Sequence, residues 1–334
     1  MSTFTVPLFV RGELITDDLV EFATRLDHSF QAPDPARHVG ALPLRSPADM
    51  ADLYAVSLDE ILDVLSELGE ALAFEKNPYI QEAYEACLVS NPMPARLLRT
   101  GYLALPAMFN REAMRELADA QVGIEYLEGW VPRQLLDGRE IRVRAFGART
   151  VHIPAGNGGL VAGITVLRNA LTRSDAIVKA PSNDPLTAMA IARTLCDIAP
   201  DHPLTKHLTV GYWKCGDPSV EEQLYRQEHI EKIVAWGGLA SVKHVTRYIQ
   251  PGLELIALDP KRSATIIGPE AFDSDETLRE VARRAACDVG AGNQEGCVNA
   301  RVVYVLSGTT SPAWPRRTGW ASSCTSRCCN CPKR

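Results

Sequence analysis

Between Thr150 and Gly238 short apolar runs alternate with amphipathic stretches, joined by turns of glycine and proline. No other feature constrains the fold as strongly. Thr150 to Ile153 reads as a strand, Gly156 to Gly159 as a turn, and Leu160 to Leu171 as a helix with Val161, Ile164 and Leu167 in one stripe. Ala176 to Lys179 is a second strand. Asp184 then caps a helix with Pro185 at its first position, where a missing N–H costs little, and Ala188, Ile191, Leu195 and Ile198 form its inward stripe. Leu208 to Tyr212 is a third strand, Ser219 and Glu222 have capping-box spacing for a short helix to about Arg226, and Lys232 to Trp236 is a fourth strand closed by Gly237-Gly238. Elements in that order build βαβ units, so the expected class is α/β: a Rossmann-type parallel sheet with helices on both faces. Ligands of such sheets gather beyond the carboxyl ends of the strands.

Ahead of this region the patterns are plainer. Residues Ser57 to Leu72 place Leu58, Ile61, Leu62, Leu65 and Leu68 on one helical stripe. Asn110 caps a second expected helix, to about Ala120, and Glu140 to Ala145 alternates with period two, as a strand with one solvated face does. A net charge of −6 gives no basic footprint for nucleic acid, and no apolar run approaches the roughly 20 residues that span a bilayer. The first residues show no cationic stretch followed by a long apolar one, so no secretory leader is read and a cytoplasmic location is expected.

The nine cysteines divide into dispersed ones (Cys87, Cys196, Cys215, Cys287, Cys297) and four crowded at the end (Cys324, Cys328, Cys329, Cys331). That crowding falls where composition breaks: no acidic residue follows Glu295, and no Leu, Ile or Val follows Leu306. Such a segment cannot supply an element with an aliphatic face, and its cysteines do not match the paired spacing of a zinc site. The expected organisation is 1–150 as a helical and strand segment packing on the core, 151–255 as a nucleotide-binding α/β domain, 256–308 as the start of a catalytic domain, and 309–334 as an aberrant, disordered tail. A frame-shifted or otherwise altered end on an incomplete enzyme accounts for that tail.

Chemistry is concentrated in a few places. Gly292-Asn293-Gln294-Glu295-Gly296-Cys297 is a glycine-bracketed turn that delivers a thiol just before the apolar run Val302 to Leu306, a setting suited to covalent acyl chemistry. Upstream lie His152-Ile153-Pro154-Ala155-Gly156-Asn157-Gly158-Gly159 and Ile177-Val178-Lys179-Ala180-Pro181-Ser182. The residues alone leave bland readings open: a buried inert thiol for Cys297, an ordinary turn residue for Asn157, a snorkelling strand-end lysine for Lys179, and a tight turn with no ligand for Gly237-Gly238.

With Asp184-Pro185, His202-Pro203, Tyr212-Trp213, Ala235-Trp236-Gly237-Gly238 and Pro260-Lys261-Arg262-Ser263, these motifs occur in one order from about Val151 to Val305. In that order they resemble the acyl-CoA reductases of the bacterial bioluminescence (fatty acid reductase) type, within the aldehyde dehydrogenase superfamily. The resemblance implies an aldehyde-dehydrogenase-like fold whose catalytic domain is incomplete here. It implies Cys297 as the nucleophile toward an acyl thioester, with Asn157 and the Cys297 N–H steadying the oxyanion. It places Lys179 on the adenosine ribose of the cofactor and Gly237 and Gly238 by the pyrophosphate. Ser182 stands where NAD-preferring relatives often carry a glutamate that would repel a 2′-phosphate, so NADPH is expected. The implied donor is a fatty acyl-CoA or an acyl-protein, and the implied partners are further copies of the full-length enzyme and an acyl-protein synthetase. Glu254 looks like the start of the superfamily's glutamate motif, with Ile256-Ala257 in place of the glycines that normally follow. Two rival readings stay open: an aldehyde dehydrogenase that hydrolyses the thioester, and a chain that keeps the nucleotide-binding fold without turnover.

Overall fold

The computed structural model describes residues 4–258 and 263–306. They form two compact units, one in each range. The tail expectation for 309–334 lies outside the described residues.

The first unit is built on a seven-stranded sheet. Its strands are β1 (Leu8–Val10), β2 (Glu13–Ile15), β3 (Arg149–Ile153), β4 (Asp175–Lys179), β5 (Leu208–Gly211), β6 (Lys232–Trp236) and β7 (Glu254–Leu258), in the spatial order β7-β6-β3-β4-β5-β1-β2. β3 to β7 are mutually parallel. β1 pairs antiparallel with β5, and β2 antiparallel with β1. Thus the parallel sheet expected from the sequence carries an antiparallel hairpin on one edge, from residues too few to show alternation. Arg11 and Gly12, with φ of 53° and 98°, form the two-residue turn of that hairpin.

Side chains along the central strands divide between two cores, which places helices on both faces. Ala176, Val178, Leu208 and Val210 pack into a core with α1 (Leu58–Ala71), α2 (Pro78–Ser90), α3 (Leu160–Leu171) and α4 (Thr187–Ile198). Val151, Ile177 and Ile233 face the other way, toward Val220 and Leu224 of α5 (Pro218–Leu224) and Val245 of α6 (Leu239–Val245). In α1 the expected stripe is buried in full and Ser57 caps by accepting from Glu60 N at 3.1 Å. Each such aliphatic side chain contributes about 1.5–3 kcal/mol on burial. The second expected helix, Arg111–Gln121, is capped by Asn110 as read.

Four local expectations are corrected. α3 is buried almost all round, with Val161 and Ile164 only half-buried, because it is enclosed by α1 and α4 as well as the sheet. α4 begins at Thr187 rather than at Pro185, although the Asp184 carboxylate still accepts from Thr187 N at 3.3 Å. In α5 Asp217 is the cap, accepting from Ser219 N at 3.0 Å, so Ser219 lies inside the helix. The strand at Glu140 spans Glu140–Val143 and is exposed on both faces. Among the described residues it pairs only with Val131–Gln134, and Ile141 and Val143 remain 39% and 37% exposed.

The second unit holds two parallel strands, β8 (Ser263–Ile267) and β9 (Ala300–Val305), and α7 (Asp275–Gly290), whose cap Ser274 accepts from Thr277 N at 3.1 Å. Its small core is Ile267, Ala271, Ala282 and Ala285. Among the described residues no helix is long and apolar enough to cross a membrane.

Candidate active site

Asn157, Lys179, Ser182, Gly237 and Gly238 lie at or just beyond the carboxyl ends of β3, β4 and β6, on one edge of the sheet. Glu254, by contrast, opens β7 in register with Lys232, at the amino end of the strands. It is exposed there and paired with the Lys232 ammonium at 2.5 Å, which keeps its carboxyl below the usual range.

The turn carrying Asn157 is held through its neighbour. The Gly156 carbonyl accepts from Asn183 Nδ2 at 2.6 Å and from Asn91 Nδ2 at 2.7 Å, and Asn91 Nδ2 also donates to the Asn183 carbonyl at 3.0 Å. Both amide side chains are buried. A Cβ at position 156 would fall 2.0 Å from Asn183 Oδ1, so glycine is required for this approach. Asn183 follows Ser182 directly, and the same residue therefore supports the Asn157 turn and ends the Lys179–Ser182 segment. Nothing in the sequence of Asn91, at the end of α2, signalled this role.

Beneath the turn lies a buried polar group. Asp184 Oδ1 accepts from Thr187 Oγ1 at 2.5 Å and from Cys87 Sγ at 3.4 Å, while the Tyr102 hydroxyl sits 2.6 Å from Thr187 Oγ1. Burial pushes the Asp184 carboxyl up, and burial together with Asp184 pushes the Cys87 thiol well above its ordinary range. Cys87 is accordingly a packing thiol.

Lys179 is 6% exposed at the end of β4, with Nζ 5.4 Å from the centre of the Tyr212 ring and 5.9 Å from that of Trp213. Burial pulls its ammonium below the ordinary lysine value. Among the described residues it forms no hydrogen bond or ion pair, so a buried cation keeps its donors for something else. Gly237 leads into Gly238, the N-cap of α6, whose first turn contains no side-chain cap. Anionic groups favour such a position.

Cys297 belongs to the second unit and is exposed. The loop before it turns through Gly292, Asn293 and Gln294, all with positive φ. Asn299 staples that loop: its Oδ1 accepts from Gly296 N at 2.9 Å, and its Nδ2 donates to Ala291 O at 2.8 Å and Asp288 O at 3.1 Å. Ser263 Oγ donates to the Cys297 carbonyl at 3.1 Å. Among the described residues the Cys297 N–H donates to none. Asn299 was not singled out in the sequence, although an Asn two residues past the thiol and just before a strand is a usable signal.

His152, His202, His207, His229 and His244 each have a hydrogen-bond partner of their own. His152 Nε2 accepts from Asn169 Nδ2 at 2.7 Å, His207 lies between Asp175 and Asp52 at 3.0 and 2.9 Å, and His244 meets Glu221 at 2.6 Å. His202 caps Leu204 N at 3.1 Å and His229 meets the Gln223 carbonyl at 2.7 Å.

Residues 53–312 match the family model described as acyl-CoA reductase (LuxC). The chain belongs to that family. A long-chain acyl-protein thioester reductase of Vibrio harveyi is 26% identical to this LuxC-family chain over 306 residues, which cover 90% of the chain and 60% of that relative. The chain thus spans a little over half of that relative's length. Among solved structures, an aldehyde dehydrogenase from Brucella melitensis superposes with a TM-score of 0.70 at 14% identity, covering 96% of the chain and 62% of that structure. An NADP-dependent glyceraldehyde-3-phosphate dehydrogenase from Bacillus halodurans, solved with NADP, gives 0.72 at 11% identity, covering 97% and 65%. The LuxC-family chain has an aldehyde-dehydrogenase-like α/β fold.

Proposed function

We propose that the protein is a cytoplasmic enzyme that reduces a long-chain acyl thioester, borne by CoA or by a protein, to the aldehyde through a covalent intermediate on Cys297. The observation that carries this reading is the exposed Cys297 thiol on a loop stapled by Asn299, in a chain of the acyl-CoA reductase family. In the proposed reaction the Cys297 thiolate attacks the acyl carbonyl, its backbone N–H and the Asn157 amide steady the oxyanion, and the carrier thiolate leaves. Losing one such donor typically costs about a hundred- to a thousandfold in rate. NADPH, when bound, supplies the hydride that reduces the acyl group. The tetrahedral thiohemiacetal on Cys297 then collapses to aldehyde and free thiolate. An acyl-protein donor implies a synthetase that loads it, and further copies of the same enzyme complete the proposed assembly.

The residues present suit a dinucleotide. Lys179 offers an unspent ammonium at a strand end, and Gly237-Gly238 offers a close backbone approach at the start of α6. A neutral Ser182 tolerates a 2′-phosphate. Replacement of Ser182 by Glu is expected to weaken NADPH binding at least tenfold and NADH binding much less, read by fluorescence titration. Equal weakening of both would count against the cofactor assignment.

The nucleophile is tested with radiolabelled long-chain acyl-CoA. Cys297→Ala is expected to abolish covalent labelling, whereas Cys87→Ser and Cys215→Ser retain it. Labelling that survives Cys297→Ala would remove the mechanism.

A further inference from the structure

The segment after β5 reads Lys214-Cys215-Gly216-Asp217-Pro218. Gly216 has φ of 87°, and a Cβ there would come within 3.5 Å of His244 Cε1, so the loop runs close along the imidazole. Asp217 and Pro218 then start α5, which sets Glu221 in its first turn and 1% exposed. Glu221 Oε1 accepts from Gly216 N at 3.0 Å. Its Oε2 meets His244 Nε2 at 2.6 Å and accepts from the Tyr248 hydroxyl at 3.2 Å. A thiol sulfur, a carboxylate oxygen and an imidazole nitrogen, from the loop, α5 and α6, thereby lie within 4.8 Å of one another.

We propose that Cys215, Glu221 and His244 form a binding site for a divalent cation of the zinc class. The donor set decides the class: sulfur with nitrogen and a single carboxylate suits Zn2+, whereas Ca2+ and Mg2+ require shells of oxygen. Ligand bonds of about 2.0–2.3 Å separate tetrahedral ligands by roughly 3.3–3.8 Å. Binding therefore takes an inward shift of about an ångström at the exposed Cys215 and an opening of roughly 0.7 Å between Glu221 and His244. Gly216 N–H and the Tyr248 hydroxyl stay on Glu221 as the outer partners that orient it.

The charges and protons balance. Thiolate and carboxylate together match the divalent charge; the proton on His244 Nε2 that faces Glu221 moves through solvent to Nδ1, leaving the imidazole neutral, and the thiol proton goes to solvent. The buried Lys179 ammonium acts on both Cys215 and Glu221. Fixing the β5 loop to α6 would also tie together two walls of the candidate cofactor cleft, because α6 starts at Gly238 and the same loop follows Tyr212 and Trp213. That last consequence rests on the proposed cofactor role, and the site itself does not.

The test uses the full chain with Cys324, Cys328, Cys329 and Cys331 changed to Ser, since those thiols bind thiophilic ions of their own accord. Zn2+ is titrated against a chromophoric chelator, and Co2+ is followed by its sulfur-to-metal charge-transfer absorption. One ion per chain is expected, with affinity falling at least tenfold in both Cys215→Ser and His244→Gln, and with the charge-transfer band lost in Cys215→Ser alone. Cys287→Ser and Cys297→Ser should leave the metal affinity and the charge-transfer band unchanged. Absence of binding, or binding and absorption indifferent to Cys215→Ser, overturns the site; should Cys215→Ser fail to fold by circular dichroism, undiminished binding by His244→Gln overturns it equally. Zn2+ that binds as expected yet leaves the NADPH dissociation constant unchanged overturns the link to the cleft and upholds the site.

Discussion

His152, the first residue of the His152 to Gly159 motif, shows what burial does to a titratable group. It lies on β3 with its ring enclosed, and burial pushes the imidazole down to about 4, only partly offset by the Asn169 amide. The ring is therefore neutral near pH 7 and serves packing. Because the folded value is depressed, the unfolded chain binds the extra proton first, and stability present above about pH 6.5 is lost as pH falls through about 4. The expected loss attributable to this residue is about 3 kcal/mol. Denaturant unfolding of wild type and His152→Gln at several pH values between 7 and 4 reads it, and parallel curves for the two proteins would defeat the argument. At this scale the sequence was partly legible. Lys179, Asn157 and Gly237 stand where their motifs placed them, at strand ends. The groups that hold the Asn157 turn, Asn91 and Asn183, were not legible, since a polar side chain that reaches across the fold to one carbonyl leaves no periodicity behind.

Among elements, those with a repeated apolar pattern were read well and those without one were not. The stripe of α1 and the bounds of α3 and β6 follow from spacing that spans several turns or a full strand. The hairpin containing Glu140–Val143 alternates as a half-buried strand does, yet it has no layer to lie on, and alternation carries no information about the partner. The Gly156 to Gly159 turn lies between these cases: its glycines announce a turn, but only the fold shows that Gly156 is pressed against Asn183. Gly156→Ala must displace that amide and its 2.6 Å hydrogen bond, and it is expected to destabilise the protein by about 1–3 kcal/mol. Chemical denaturation measures this, and a change under 0.5 kcal/mol, the scale of an ordinary surface substitution, would show that the clamp has slack.

Across the first unit, one ion pair joins distant stretches of chain. Arg11, at the tip of the β1–β2 hairpin, meets the Asp175 carboxylate at 2.5 Å and the Leu42 carbonyl at 2.8 Å, and Asp175, 1% exposed, also meets His207. Arg11→Ala would leave that carboxylate without its cation, at an expected cost of about 3 kcal/mol. Thermal unfolding against Arg11→Lys, which retains the charge, checks whether the charge or the forked geometry matters; an unaffected Arg11→Ala would mean that the hairpin is held by its ladder alone. The ladder itself sets an order of events. Val10 pairs with Thr209 and Phe9 with Val210. During translation, residues 8–15 leave the ribosome long before β5 has been made, and the β1 edge of their hairpin waits without its second partner. A sheet whose earliest strand must await its fifth depends on whatever shields that edge in the interval, so slowing synthesis between β1 and β5 lengthens its exposure.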